Sequence, residues 1–150
     1  MICGSSLERV TIAGMDPSKP VKSYRDLLVW QRSIELSVAV YRLTSGFPRE
    51  EVYGLTGQLR RAAVSVASNI AEGYGRGSKG EYKNFLGIAR GSVLEIQTQL
   101  VIAEKLGFAV GEQAGTAALL AEETGKMLWS MLRGMQAHPS SPAHSSNNPS

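Results

Sequence analysis

Between Ser23 and Gln136, apolar residues recur at spacings of three and four in four successive runs, joined by connections of only a few residues. Such spacing places side chains on one face of an α-helix. Short connections make sequential helices antiparallel. The expected fold is all-α, an antiparallel up-down-up-down four-helix bundle, and no strand pattern competes with it. The chain of 150 residues is long enough for one domain with its own core and too short for two ordinary ones.

In the first run Ser23 is placed as the N-cap and Asp26 lies near the positive helix end. Leu27, Trp30, Ile34, Val38 and Tyr41 form its predicted inner stripe, and Gly46 stops it. Pro48 is predicted to open the second helix, with Glu50 and Glu51 in its first turn. Leu55, Leu59, Ala62, Val66 and Ile70 form that helix's inner face. Gly73, Gly75 and Gly77 break it and are expected to supply left-handed backbone for the turn. Ser78-Lys79-Gly80-Glu81 has the capping-box form and starts the third helix. Its stripe is Tyr82, Phe85, Leu86, Ala89, Val93, Ile96, Leu100 and Ala103, ended by Gly107. The fourth helix is predicted from about Glu112 to Gln136, with Ala114, Ala118, Ala121, Leu128 and Leu132 on one side. Residues 1–22 lack helical period and read as a disordered leader, with Met15 as an alternative start. The folded bundle occupies 23–136, and the Ser/Pro/Asn-rich residues 137–150 read as a disordered tail.

Composition excludes several classes of function. No run of about 18 apolar residues exists to form a transmembrane helix, and no signal-peptide pattern opens the chain, so a cytoplasmic location is expected. The single cysteine, Cys3, has no internal disulfide partner. Both histidines, His138 and His144, fall in the tail, which removes histidine-based triads and His/Cys zinc sites. No Glu-x-x-His motif of a di-iron bundle occurs, so no metal, cofactor or enzymatic activity is expected. Gly75-Arg76-Gly77-Ser78-Lys79-Gly80 has the letters of a dinucleotide fingerprint but follows a helix where that motif requires a strand.

Charge is distributed unevenly. From Arg60 to Arg90 six cations (Arg60, Arg61, Arg76, Lys79, Lys83 and Arg90) face two acids, Glu72 and Glu81, a surplus of four. Residues 91–136 carry three cations and five acids, a deficit of two. The six cations are the candidate nucleic-acid-binding residues, placed around the turn between the second and third helices. A phosphate at the third helix's N-terminus beside Arg76 and Lys79 would be held without base reading. Tyr74 and Tyr82 flank the turn and are candidate stacking residues, although Tyr82 also fits the core and Tyr74 the surface. Asn69 and Glu72 fit local hydrogen-bonding roles, Glu72 with Arg76 or another cation. Trp30, Tyr53 and Trp129 exceed what four short stripes need and are candidates for an oligomer contact.

The stretch YGLTGQLRRAAVSVASNIAEGYGR, the following NFLGIARGSVLEIQTQL and the opening YRDLLVWQRSIELSVAVYRL resemble the bacterial four-helix bundle proteins encoded in intervening sequences of 23S ribosomal RNA genes. The likeness covers about Ser23 to Phe108 and, less distinctly, the last helix. The blocks G-L-T-x-Q-L-R-R-A, S-N-I-A-E-G and A-R-G-S-x-x-E stand in the family's order. One position departs: Ala67 stands where the family usually has proline, which implies a straighter second helix. The resemblance implies a homopentamer without known enzymatic activity. Accessory proteins of diversity-generating retroelements look similar, and their basic surface engages nucleic acid and a reverse transcriptase. The expected function is therefore a non-catalytic oligomeric bundle that binds nucleic acid, structured RNA first. The alternative is a protein-interaction scaffold that docks a partner such as a reverse transcriptase.

Overall fold

Ser23 caps the start of the bundle. Its hydroxyl accepts from the Arg25 N–H at 3.2 Å, and Asp26 Oδ2 accepts from the Ser23 N–H at 3.1 Å. This reciprocal cap closes a short 3-10 turn, Tyr24–Asp26, from which α1 continues as Leu28–Thr44. The computed structural model describes residues 20–136. The expectations for residues 1–19 and 137–150, including those for Cys3, His138 and His144, lie outside the described residues. Helix α2 spans Leu55–Tyr74, α3 Lys79–Lys105 and α4 Gly111–Gln136, and the described residues contain no strand.

The four helices form a square in which α1 and α3 each pack on α2 and α4, with no packing across either diagonal. Cross-links show the antiparallel order. Ser37 donates to the Ala63 carbonyl at 3.0 Å, while Arg60 reaches forward in α1 to Thr44 at 2.9 Å. Ser65 and Ser92 hydroxyls meet at 2.9 Å, and Gln58 and Gln99 pair further along at 3.4 Å. The Arg90 guanidinium lies over Trp129, and Arg32 in α1 approaches Glu123 in α4 at 3.4 Å.

The core is built from Leu36, Leu59, Ile70, Leu86, Ile96 and Leu128, all fully buried, with Val40, Val66 and Val93 between them. Each such side chain contributes about 1.5–3 kcal/mol by leaving water. The predicted inner faces of α2 and α3 are the observed ones. Helix α3 ends in the geometry expected at Gly107, which has φ +77°. The Phe108 N–H reaches the Ala103 carbonyl at 2.8 Å and the Gly107 N–H reaches Glu104 at 2.9 Å, a Schellman cap.

Four expectations are corrected. On α1 the stripe Ile34, Val38 and Tyr41 faces outward, 38–45 % exposed, and Val29, Ser33, Leu36, Ala39, Val40, Leu43 and Thr44 are buried instead. Helix α1 carries two apolar stripes, and its inner one is disguised by Ser33 and Thr44. Their hydroxyls donate to the Trp30 and Val40 carbonyls at 2.6 and 2.8 Å, which makes their burial tolerable. On α4 the alanines fit two registers, and Ala117 with Thr124 takes the buried line while Ala118 is exposed.

Helix α2 begins seven residues after Pro48. Pro48 instead precedes a 3-10 turn, Arg49–Glu51, and Gly54 interrupts the path with φ −101° and ψ −124°. The Glu51 carboxylate then accepts from the Leu55 N–H at 2.9 Å and caps α2. A Cβ on Gly54 would collide with that carboxylate. Finally, the link between α2 and α3 is not left-handed: positive φ among the described residues occurs only at Gly107 and Gly111. Gly75, at φ −76°, continues right-handed, and the Gly75 N–H still reaches Ala71 at 3.1 Å. Helix α2 runs unbroken through Ala67.

Candidate nucleic-acid interface

The turn between α2 and α3 is held from both sides. Ser78 accepts from the Glu81 N–H at 3.2 Å and donates to Glu81 Oε2 at 3.1 Å, so Glu81 binds the cap's hydroxyl and not its backbone N–H. Arg76 pairs with Glu72 at 2.9 Å, as expected, and approaches Glu81 at 3.9 Å. Its guanidinium also lies 5.0 Å from the Phe85 ring centroid. Tyr74 packs edge-on against Tyr82 with centroids 6.3 Å apart, and Tyr82 is half-buried against the core. Burial, then the neighbouring Tyr74, raises the Tyr82 phenol above its usual pKa. Asn69 donates to the Ser65 carbonyl and hydroxyl at 2.8 and 3.0 Å, and Ser65 meets Ser92 across the α2–α3 seam.

The six candidate cations do not form one patch. Arg60 and Arg61 lie near the start of α2, roughly 20 Å along the helix from the turn at about 1.5 Å per residue. Arg60 is engaged inside the bundle, donating to Thr44 at 2.9 Å with its guanidinium 4.5 Å from the Tyr41 ring centroid. Arg61 is exposed on the outer face of α2, away from the other candidates. Arg76 is neutralised by the two carboxylates at the turn. Lys79 and Lys83 have no carboxylate partner among the described residues.

Lys79, Lys83 and Arg90 recur at intervals of four and seven and so share one face of α3, the face beside α4. Helix α4 answers with Lys126, Trp129 and Arg133, spaced by three and four. The two faces meet where the Arg90 guanidinium lies 4.6 Å from the Trp129 ring centroid. Five cations gather along this seam against two nearby carboxylates, Glu122, which pairs with Lys126 at 2.8 Å, and Glu123, whose charge also acts on Lys126. The Glu122–Lys126 contact lowers the Glu122 pKa and raises that of Lys126. Below Arg90 and Trp129 lies a cleft of about 260 Å³, lined by Val93, Leu94, Gln97, Glu122 and Gly125.

Lys126 and Arg133 are absent from the residues chosen from the sequence, and Trp129 is chosen there only as a candidate oligomer contact. They lie some fifty positions from the α2–α3 turn in a segment whose net charge is negative, and only the antiparallel register brings them beside Lys83 and Arg90. Their signal was the spacing of 126, 129 and 133 together with an aromatic in excess of core needs. No three potential metal ligands gather among the described residues, and none of the described helices is long and apolar enough to cross a membrane.

The chain's architecture is shared with a solved protein of unknown function from the S23 ribosomal protein family of Bacteroides thetaiotaomicron. The two are 22 % identical with a TM-score of 0.64, over 71 % of this chain and 99 % of that one. No curated protein matches the chain. The sequence profile of the 23S rRNA-intervening sequence proteins matches residues 25–130, from the first turn into the fourth helix and across the Arg90–Trp129 contact. This chain belongs to the 23S rRNA-intervening sequence protein family.

Proposed function

We propose that this protein is a non-catalytic, oligomeric four-helix bundle that binds nucleic acid, RNA first, along the basic seam between α3 and α4. The observation that carries the reading is the convergence of Lys79, Lys83 and Arg90 with Lys126 and Arg133 across that seam, where Lys126 alone of the five is ion-paired to a carboxylate. Cations left without partners on a bundle of small net charge are suited to phosphates, whose counterions are released on binding. Family membership supports a role connected with RNA. The basic surface is thus shifted from the α2–α3 turn, where Arg76 is neutralised, to a neighbouring face.

Assembly rests on the outward stripe Ile34, Val38 and Tyr41 of α1, with exposed Val64 of α2 beside it. This apolar face lies on the opposite side of the square from the α3–α4 seam. A second copy covering it would leave the seam open, and a ring, a pentamer by kinship, would multiply the basic surface. The same stripe favours the alternative reading, a scaffold that docks a partner protein such as a reverse transcriptase. A groove of about 490 Å³ between α1 and α4, floored by Ala39 and Leu120, adjoins it.

The test is RNA binding by fluorescence anisotropy across a salt series. The double variant Lys83→Ala/Arg133→Ala should bind more weakly. Its salt slope should fall by roughly 0.7 for each single-strand phosphate that is no longer neutralised. Equal affinity and slope for wild type and variant would overturn the reading. Copurification of one defined protein without nucleic acid would favour the scaffold.

A further inference from the structure

Trp129 is the aromatic residue best placed on the basic seam, and it is not needed by the core. Its side chain is 47 % exposed, whereas Trp30 is half-buried and packed edge-on against Tyr24 at 5.3 Å. Leaving a large indole half in water forfeits burial that an α4 residue could otherwise contribute. The face of this indole already accommodates a flat cationic group, because the Arg90 guanidinium lies 4.6 Å from the ring centroid. A nucleobase has the same flat shape and gains similarly from an aromatic platform.

The surroundings narrow the class of ligand. Lys83 lies two turns before Arg90 on α3 and Arg133 one turn beyond Trp129 on α4, on the same side of the ring because the helices are antiparallel, and Lys126, one turn before Trp129, stands on the other side. A neutral aromatic ligand would make no use of them, but the phosphates on either side of a stacked base would. The cleft beneath the ring adds polar groups at the position of a base edge: the half-buried Gln97 amide and the Glu122 carboxylate. Gly125 leaves the α4 wall of the cleft without a side chain, and a Cβ there would stand 3.3 Å from Val93 Cγ1.

From this juxtaposition we infer that the Trp129 cleft is a stacking site for an unpaired nucleobase, so that the seam takes single-stranded segments in preference to duplex. The inference rests on the nucleic-acid reading of the seam and adds its substrate class. In a duplex the base faces are covered by their neighbours in the stack, and an indole on a rigid helix cannot reach them. In a single strand or loop one base can lie on Trp129, sandwiched with Arg90 or displacing it, while Lys83 and Arg133 hold phosphates on one side of it and Lys126 a phosphate on the other. Edge contacts to Gln97 and Glu122 are secondary to stacking, so the preference is for an unpaired base and not for one sequence.

The experiment compares a labelled single strand of about twelve nucleotides with its own duplex. The proteins are the full chain, Trp129→Leu and Trp129→Phe, each checked for an unchanged helical melt by circular dichroism. The wild type should prefer the single strand. Trp129→Leu should weaken that binding about tenfold while changing duplex binding less than about twofold, and Trp129→Phe should recover most of the loss. Part of the indole emission should be quenched on binding in the wild type and unchanged in Trp129→Phe, where Trp30 alone reports. Binding of both nucleic acids with no effect of Trp129→Leu on either would overturn this inference and leave the electrostatic reading standing. Absence of binding to both at low salt would overturn the two together.

Discussion

Gly73 of α2 and Phe85 of α3 approach so closely that a Cβ on Gly73 would stand 2.7 Å from the Phe85 Cβ and 3.1 Å from the Tyr82 ring. The glycine that closes the S-N-I-A-E-G block is therefore required by packing. It lets α2 and α3 converge at the turn without a left-handed residue between them. Gly73→Ala should destabilise the bundle by about 1–3 kcal/mol, since overpacking against a side-chain stem exceeds the roughly 1 kcal/mol that alanine gains in helix propensity. Urea unfolding measures it, and an unchanged or raised midpoint would contradict the close approach.

Sequence and structure agree most fully where one apolar stripe dominates a helix. On α3 the line from Tyr82 to Ala103 is continuous while the other apolar residues, Ile88, Leu94, Val101 and Ile102, are exposed, and a cap residue and a stop glycine fix both ends. On α1 two stripes compete, and hydrophobicity alone favours the outward one because the inner one contains Ser33 and Thr44. That choice depends on hydroxyl bonds within the helix, which a hydropathy pattern does not contain. For the site, Lys79, Lys83 and Arg90 are legible as cations, but their grouping with Arg133 and Trp129 is not. Residues distant along the chain become neighbours only through the antiparallel register of α3 and α4. Linear proximity misleads in the other direction for Arg60, which stands close to the turn in the charge pattern but packs at the far end of α2.

The adjacent arginines of α2 should separate in their effects. Arg60 donates to Thr44 and lies over the Tyr41 ring, joining α1 to α2. Arg60→Ala should cost about 1–2 kcal/mol by removing a hydrogen bond and a cation–π interaction. Arg61, exposed and without a carboxylate partner among the described residues, should change stability by less than about 0.5 kcal/mol when replaced by alanine. Thermal melts of the two single variants check this, and equal losses would refute the assigned role of Arg60.

Alkaline pH should weaken the fold through Tyr82. Its phenol pKa is raised, first by burial and then by Tyr74, above the ordinary tyrosine value of about 10. Between the unfolded and folded values the unfolded chain has released its proton and the folded one has not, so stability falls as pH rises. The contribution is fully present below pH about 10 and is lost as pH climbs through the folded pKa. Tyr82→Phe, which has no proton to release, should show a flatter decline in unfolding midpoint above pH about 10. An identical decline in both proteins would place the alkaline sensitivity elsewhere.

The outward stripe of α1 provides a test of assembly that leaves the basic seam untouched. Val38 is 43 % exposed at its centre, between Ile34 and Tyr41, and lies outside the buried core. Val38→Lys places a charge where a second copy would need apolar contact, and a desolvated, unpaired charge in an interface is strongly unfavourable. Light scattering should show the variant shifted to lower mass than the wild type, with helical content by circular dichroism unchanged. RNA affinity should fall with it, because a single subunit forgoes the avidity of several seams acting together. A variant of unchanged mass would remove α1 from the assembly surface. One that dissociates yet keeps full affinity would mean that each bundle binds its nucleic acid alone.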